Sequence, residues 1–222
     1  MGGNLSVGDK VMVKGINTSY GVEDGYSIYY NTFEDSTAFF NVEGNIMSLL
    51  YGDDFSDKKV FDGEYVFVGL FRETNIVNAQ NLILPAITAT TGCYSSMFDN
   101  CTSLTTAPEL PATTLTGANL NTSIKGCYSG MFAGCESLVT APELPAATLT
   151  QYCYYGMFYG CSNLSYVKCL ATNHSANGCT DRWLGYYNNG KVSSEGTFVK
   201  ASGVYWAVGT HAIPEGWVVV EE

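Results

Sequence analysis

Cys93-Tyr94-Ser95-Ser96-Met97-Phe98-Asp99-Asn100-Cys101 is written twice more along the chain. It returns as Cys127-Tyr128-Ser129-Gly130-Met131-Phe132-Ala133-Gly134-Cys135 and as Cys153-Tyr154-Tyr155-Gly156-Met157-Phe158-Tyr159-Gly160-Cys161. A leucine follows each copy at the same offset: Leu104, Leu138 and Leu164. The string Ala-Pro-Glu-Leu-Pro-Ala follows the first two copies, at Ala107–Ala112 and Ala141–Ala146, and Leu-Pro-Ala also stands at Leu84–Ala86. A unit that recurs every few tens of residues cannot bury its apolar face alone, and a stack of neighbours supplies the cover.

On a helical wheel at about 100° per residue, Cys93, Met97, Cys101, Tyr94 and Phe98 fall within an arc of about 140°. That is the apolar stripe of a short helix lying on a core, with Ser95, Ser96, Asp99 and Asn100 outside it. The later copies keep the stripe and vary the outer face. Glycine there weakens an isolated helix by about 1 kcal/mol per residue, so packing would have to hold it. Leu104–Ala107 and Leu138–Ala141 read as single short strands, closed by Pro108 and Pro142. The expected fold class is an α/β solenoid: a short leucine-rich-repeat-like stack, one short strand and one short helix per repeat, with β-rich caps at both ends. The longer middle interval places an insertion around Gly117–Thr122, either a loop on a binding face or a tolerated surface loop.

The string Phe-x-x-Cys-x-x-Leu, at Phe98/Cys101/Leu104, Phe132/Cys135/Leu138 and Phe158/Cys161/Leu164, resembles the BspA-like leucine-rich repeats of surface proteins from anaerobic gut bacteria. The resemblance covers about residues 76–172. Gly44–Gly52, Gly196-Thr197-Phe198 and Ile213–Trp217 are similar to segments that bracket such repeats. It implies a secreted or cell-surface protein with a role in adhesion or recognition.

Both flanks read as caps. Lys10–Lys14, Tyr26–Tyr30, Thr37–Val42 and Glu64–Phe71 have strand composition and are separated by Gly8-Asp9, Glu23-Asp24-Gly25 and Asp62-Gly63 turn chemistry. Residues 1–75 are therefore expected as a mostly antiparallel capping unit, 76–172 as the repeat body and 173–222 as a C-terminal β cap with strands at Gly196–Lys200 and Trp217–Val220. Trp183, Trp206 and Trp217 all lie in the last segment, as a cap core or as a carbohydrate platform.

The net charge of -11, with ten Lys plus Arg, would repel a nucleic acid or an anionic bilayer. No apolar run reaches the roughly 20 residues that cross a membrane. Met1-Gly2-Gly3-Asn4-Leu5-Ser6 has no signal-peptide character, which reads either as a cytosolic protein or, the favoured reading, as a piece trimmed from a longer surface protein. Six of the eight cysteines fall in the repeats as Cys-x7-Cys and read as buried free thiols. Cys169 and Cys179 are a candidate bridge in an oxidising compartment.

No hydrolase elbow, phosphate loop, dinucleotide fingerprint or metalloprotease helix is present, so no enzyme, cofactor or metal site is expected. Asp53-Asp54-Phe55-Ser56-Asp57 is either a solvated turn or a calcium loop. The candidate binding residues are Tyr155 and Tyr159, read as an i, i+4 pair on the outer side of the third helix, or as a contact with the C-terminal cap. The expected function is non-catalytic recognition or adhesion at a cell surface by a monomer. Its partner would be a host or neighbouring-cell protein or glycan. The alternative is a structural spacer with no ligand of its own.

Overall fold

The computed structural model describes residues 8–17, 21–23, 28–30, 37–117, 126–185, 190–209 and 212–222. β1 (Gly21–Glu23) and β2 (Ile28–Tyr30) pair antiparallel, and the remaining sheets are parallel. β3 (Phe40–Asn45) pairs with β4 (Ile76–Ile83), and β5 (Thr88–Ala89) with β6 (Thr114–Leu115). The third parallel sheet runs in the order β7 (Tyr166–Cys169), β8 (Gly196–Lys200), β9 (Trp217–Glu221).

These elements correct the expected fold class. Among the described residues the helix content is α1 (Ser48–Tyr51), a single turn outside the repeats, and the strands from β3 onward gather in three small parallel sheets. No repeat carries a helix, so neither the α/β solenoid nor the leucine-rich-repeat assignment describes this chain. Lys10–Lys14 is exposed coil rather than a strand, and Glu64–Phe71 is a run of turns. Of the expected insertion, positions 118–122 lie outside the described residues; Gly117, just before them, forms an antiparallel bridge with Gly126.

What the Cys-to-Cys motif forms instead is a ribbon of successive turns in which alternate residues donate in different directions. Ser95, Met97, Asp99 and Cys101 donate their N–H to the carbonyl three residues back, at 3.0–3.2 Å. Tyr94, Ser96, Phe98 and Asn100 donate sideways to Cys127, Ser129, Met131 and Ala133, at 2.7–3.0 Å. The second copy repeats this toward the third: Tyr128, Gly130, Phe132 and Gly134 donate to Cys153, Tyr155, Met157 and Tyr159. An α-helix would send every N–H to the carbonyl four residues back. Here half of the donors find partners on the neighbouring copy, so the backbone is satisfied without a helix.

The ribbon turns through a left-handed residue at every fourth position. Ser96 and Asn100 have φ of 53° and 58°, and the matching Gly130 and Gly134 have 62° and 72°. A side chain in this region costs about 1–2 kcal/mol, which glycine avoids. The glycines that make a poor helix are what this conformation asks for. The same rhythm extends past the three visible copies. Tyr65, Gly69 and Glu73 precede them, and Gly178 and Arg182 follow, all at φ between 58° and 63°. Phe67 and Gly69 donate onto Cys93 and Ser95, and Tyr154 and Gly156 onto Cys179 and Asp181. Degenerate levels therefore lie at both ends, inside segments read from the sequence as caps.

Side chains from successive levels form columns inside. Phe67, Tyr94, Tyr128 and Tyr154 stack with centroids 6.2, 5.6 and 6.0 Å apart, and Phe71, Phe98, Phe132 and Phe158 at 5.4, 5.5 and 5.8 Å. Such pairs contribute about 0.5–1.5 kcal/mol each beyond the area they bury. Met97, Met131, Met157 and the cysteines of the motif are also fully buried. One apolar cluster runs from Ile46 to Trp217 through all of these levels.

The position of the second cysteine has a specific cause. Each of the Phe71, Phe98 and Phe132 carbonyls accepts a thiol from the following level: Cys101 at 2.9 Å, Cys135 at 3.2 Å and Cys161 at 3.0 Å. The Phe-x-x-Cys spacing thus makes the thiol a donor as well as filler. All eight cysteines are free, Cys169 and Cys179 included.

Candidate functional site

The three strands of the β7–β8–β9 sheet are aligned so that Tyr166, Thr197 and Val218 form one cross-strand row, and Lys168, Val199 and Val220 another. Alternation along a strand sends these rows to one face and Val167, Phe198 and Val219 to the other. The inner row closes the core: Val167 and Phe198 are fully buried. On the outer face the flanking strands are open, with Tyr166, Val218 and Val220 exposed at 36%, 62% and 42%, while the central Val199 is buried. All-parallel sheets are ordinarily covered on both faces, so a tyrosine–threonine–valine face open to solvent is uncommon.

At the start of the same strands lies an open notch of about 660 Å³. Ser165, Ser194, Glu195, Thr197 and Val218 line it around Gly196 and Gly216. Both glycines are forced by close approach. A β-carbon on Gly196 would stand 2.5 Å from the Ser165 carbonyl oxygen and 2.6 Å from the Trp217 ring, and one on Gly216 would stand 2.8 Å from the Ser194 carbonyl oxygen. The Trp217 indole N–H donates to the Ser193 carbonyl at 2.8 Å and fixes this corner. Lys168 holds the side of the face through ion pairs to Glu143 at 3.1 Å and Glu222 at 2.6 Å. Both carboxylate hydrogen bonds and charge raise the Lys168 pKa, which keeps the pair ionic. One carboxylate among hydroxyls and glycines offers hydrogen bonding, with no nucleophile–base pair around it.

The two tyrosines singled out in the sequence part company. Tyr155 joins a half-buried cluster on the ribbon, its ring 6.0 Å edge-on from Tyr152 and 5.6 Å beneath the Arg182 guanidinium. The Tyr152 hydroxyl accepts from the Asn177 side-chain amide at 3.3 Å. Tyr159 lies against the C-terminal segment instead, its ring filling the space over Gly190, where a β-carbon would meet it at 2.2 Å. The i, i+4 helical pair does not form, because the ribbon is not a helix. Tyr152 and Arg182 are the members of the cluster that the sequence reading missed; each sits at a left-handed position, φ 55° and 60°, in line with the glycines of other levels.

The remaining candidates resolve differently. Trp183, Trp206 and Trp217 are all buried, so the tryptophans build the end of the core and present no platform. Trp206 stacks between His174 at 4.1 Å and Trp183 at 5.5 Å. In the acidic loop, Asp53 takes Lys14 at 2.8 Å, and no cluster of three or more metal-ligating side chains occurs among the described residues. Burial raises the thiols of the repeats, reaching about 12 at Cys153, Cys161 and Cys169. They stay protonated and unreactive at neutral pH. Among the described residues, no helix is long and apolar enough to cross a membrane.

Comparison with protein-family models, with curated proteins and with solved structures found nothing that matches this chain.

Proposed function

We propose that this chain is a non-catalytic recognition or adhesion module that binds a protein or a glycan at a bacterial cell surface. The observation that carries this reading is the partly open outer face of the parallel sheet. Tyr166, Val218 and Val220 stand exposed beside a notch lined with hydroxyls. An aromatic and aliphatic surface edged by hydrogen-bonding groups suits contact with a folded partner or a sugar. The rigid stacked backbone behind it holds that surface in place at little entropic cost on binding. The half-buried Tyr152 and Tyr155, with the exposed Arg182 over them, offer a second, smaller contact area. The resemblance of the Phe-x-x-Cys-x-x-Leu string to BspA-like surface proteins supports the location.

A glycan array and a binding screen against immobilised host surface proteins test this reading with the folded chain. The expected result is a ligand whose affinity falls at least about tenfold in Val218→Asp and Tyr166→Ala, a loss typical of central contacts. Silence of the folded chain in both screens would favour a spacer and remove the proposal.

A further inference from the structure

We infer that the outward edge of β9 accepts an extended, lysine- or arginine-bearing segment of a partner protein as a fourth strand of the β7–β8–β9 sheet. This deepens the recognition reading and rests on it. β9 is the last strand in the sheet order. Glu222 donates its N–H to the Lys200 carbonyl at 3.0 Å, and its own carbonyl accepts the Ser202 N–H at 3.1 Å, so Glu222 turns its peptide groups toward β8. Peptide direction alternates along a strand, which sends those of Val218 and Val220 the same way and those of Val219 and Glu221 outward. The Trp217 N–H is taken by the Pro214 carbonyl at 3.2 Å. Among the described residues the open ladder is therefore centred on Val219 and Glu221.

Edges of this kind are usually blunted by a lysine, a proline or a bulge. β9 reads Trp-Val-Val-Val-Glu, pairs with β8 in unbroken register, and exposes Val218, Val219 and Val220 at 62%, 38% and 42%. Its one charged residue, Glu221, is bound to Lys200. Such an edge is built to add a strand, main-chain bonds giving affinity and side-chain positions giving choice.

Charge selects the occupant. Lys168 and Lys200, the cations of this sheet, are held by Glu143, Glu222 and Glu221. Glu195 in the notch and Glu215 just before β9 are exposed, and neither has an ion-pair partner among the described residues. A second copy of this chain would bring another body of net charge -11 against the same carboxylates, which opposes pairing of β9 with itself. A cationic segment meets the opposite field.

The test uses the full chain and three synthetic probes: a short peptide alternating valine, threonine and lysine, the same peptide with glutamate for lysine, and the lysine peptide N-methylated along one edge. The lysine peptide is expected to bind, more weakly as salt rises, and the other two to bind at least about tenfold less well. Val219→Pro removes an outward N–H that β8 does not use, so it should abolish binding while the melting transition is retained; Val219→Thr keeps the N–H and should bind normally. Glu195→Gln with Glu215→Gln should narrow the preference for lysine over glutamate. Equal binding of the acidic peptide, unchanged binding by a folded Val219→Pro chain, or self-association that Val219→Pro abolishes would each overturn the inference. No peptide binding alongside a positive glycan or protein screen overturns this inference and leaves recognition standing; silence throughout overturns both.

Discussion

The thiol of Cys135 donates to the carbonyl oxygen of Phe98, 3.2 Å away and one level earlier in the stack. That carbonyl also accepts the Cys101 N–H at 3.0 Å, so one oxygen ties its own turn and the next level together. Cys135→Ala removes both volume and donor from a fully buried site and should cost about 2 kcal/mol. Cys135→Val restores the volume alone and should still cost about 1 kcal/mol. Midpoints of urea unfolding measure the two; a neutral Cys135→Val would mean that the thiol is filler and nothing more.

Burial also fixes the alkaline limit of the fold. The thiols of Cys153, Cys161 and Cys169 are raised from 9.0 to about 12 by desolvation. The unfolded chain therefore loses these protons first as pH rises. The stability they carry is present below about pH 9 and is lost progressively between there and about pH 12. Thermal melts from pH 7 upward should fall steeply once pH 9 is passed. A thiol-specific reagent at pH 8 should find the repeat cysteines closed in the native chain and open after denaturation.

The left-handed positions can be separated from packing by choice of glycine. A β-carbon on Gly156, at φ 60°, meets nothing within 4 Å, so Gly156→Ala carries only the backbone cost, about 1–2 kcal/mol. On Gly134 a β-carbon would stand 2.4 Å from the Asn100 side-chain oxygen, so Gly134→Ala should cost more, and Asn100→Gly should recover the excess. Ser96→Gly, at φ 53°, should gain up to about 1 kcal/mol.

Inside the tyrosine column a deletion is expected to help. The Tyr94 and Tyr128 hydroxyls are buried without a hydrogen-bond partner among the described residues. Tyr128→Phe keeps the ring 5.6 Å from Tyr94 and removes an unpaired polar atom, for a gain of about 1 kcal/mol. Phe132→Ala, in the neighbouring column, should lose about 3–5 kcal/mol. Calorimetry of the two variants gives opposite signs if the columns are as described.

The repeat showed which residues are inside more readily than it showed how the backbone runs. Cys93, Tyr94, Met97, Phe98 and Cys101 recur at a spacing of about four, which an α-helix and a ribbon with a left-handed residue at every fourth place share. The sign that separates them is also in the sequence: Gly130 and Gly134, then Gly156 and Gly160, hold fixed places in two copies, where a helix would have no use for them. The degenerate levels around Phe67 and Cys179 were hidden because Val66-Phe67-Val68 imitates a strand and Cys179 lacks its Met-Phe sequel. The candidate site was less legible still. Ser165, Ser194–Thr197 and Gly216–Val218 come together only through the parallel register of β7, β8 and β9, and no local pattern announces that.

Nuclear Overhauser contacts across Cys93–Cys135 test the central claim most directly. The stacked ribbon predicts ring contacts from Tyr94 to Tyr128 and from Phe98 to Phe132, together with strong intraresidue contacts between the amide and α protons of Ser96 and Asn100, the mark of positive φ. Contacts from α protons to amides four residues ahead, running through Cys93–Cys101 in place of the cross-level ring contacts, would contradict it.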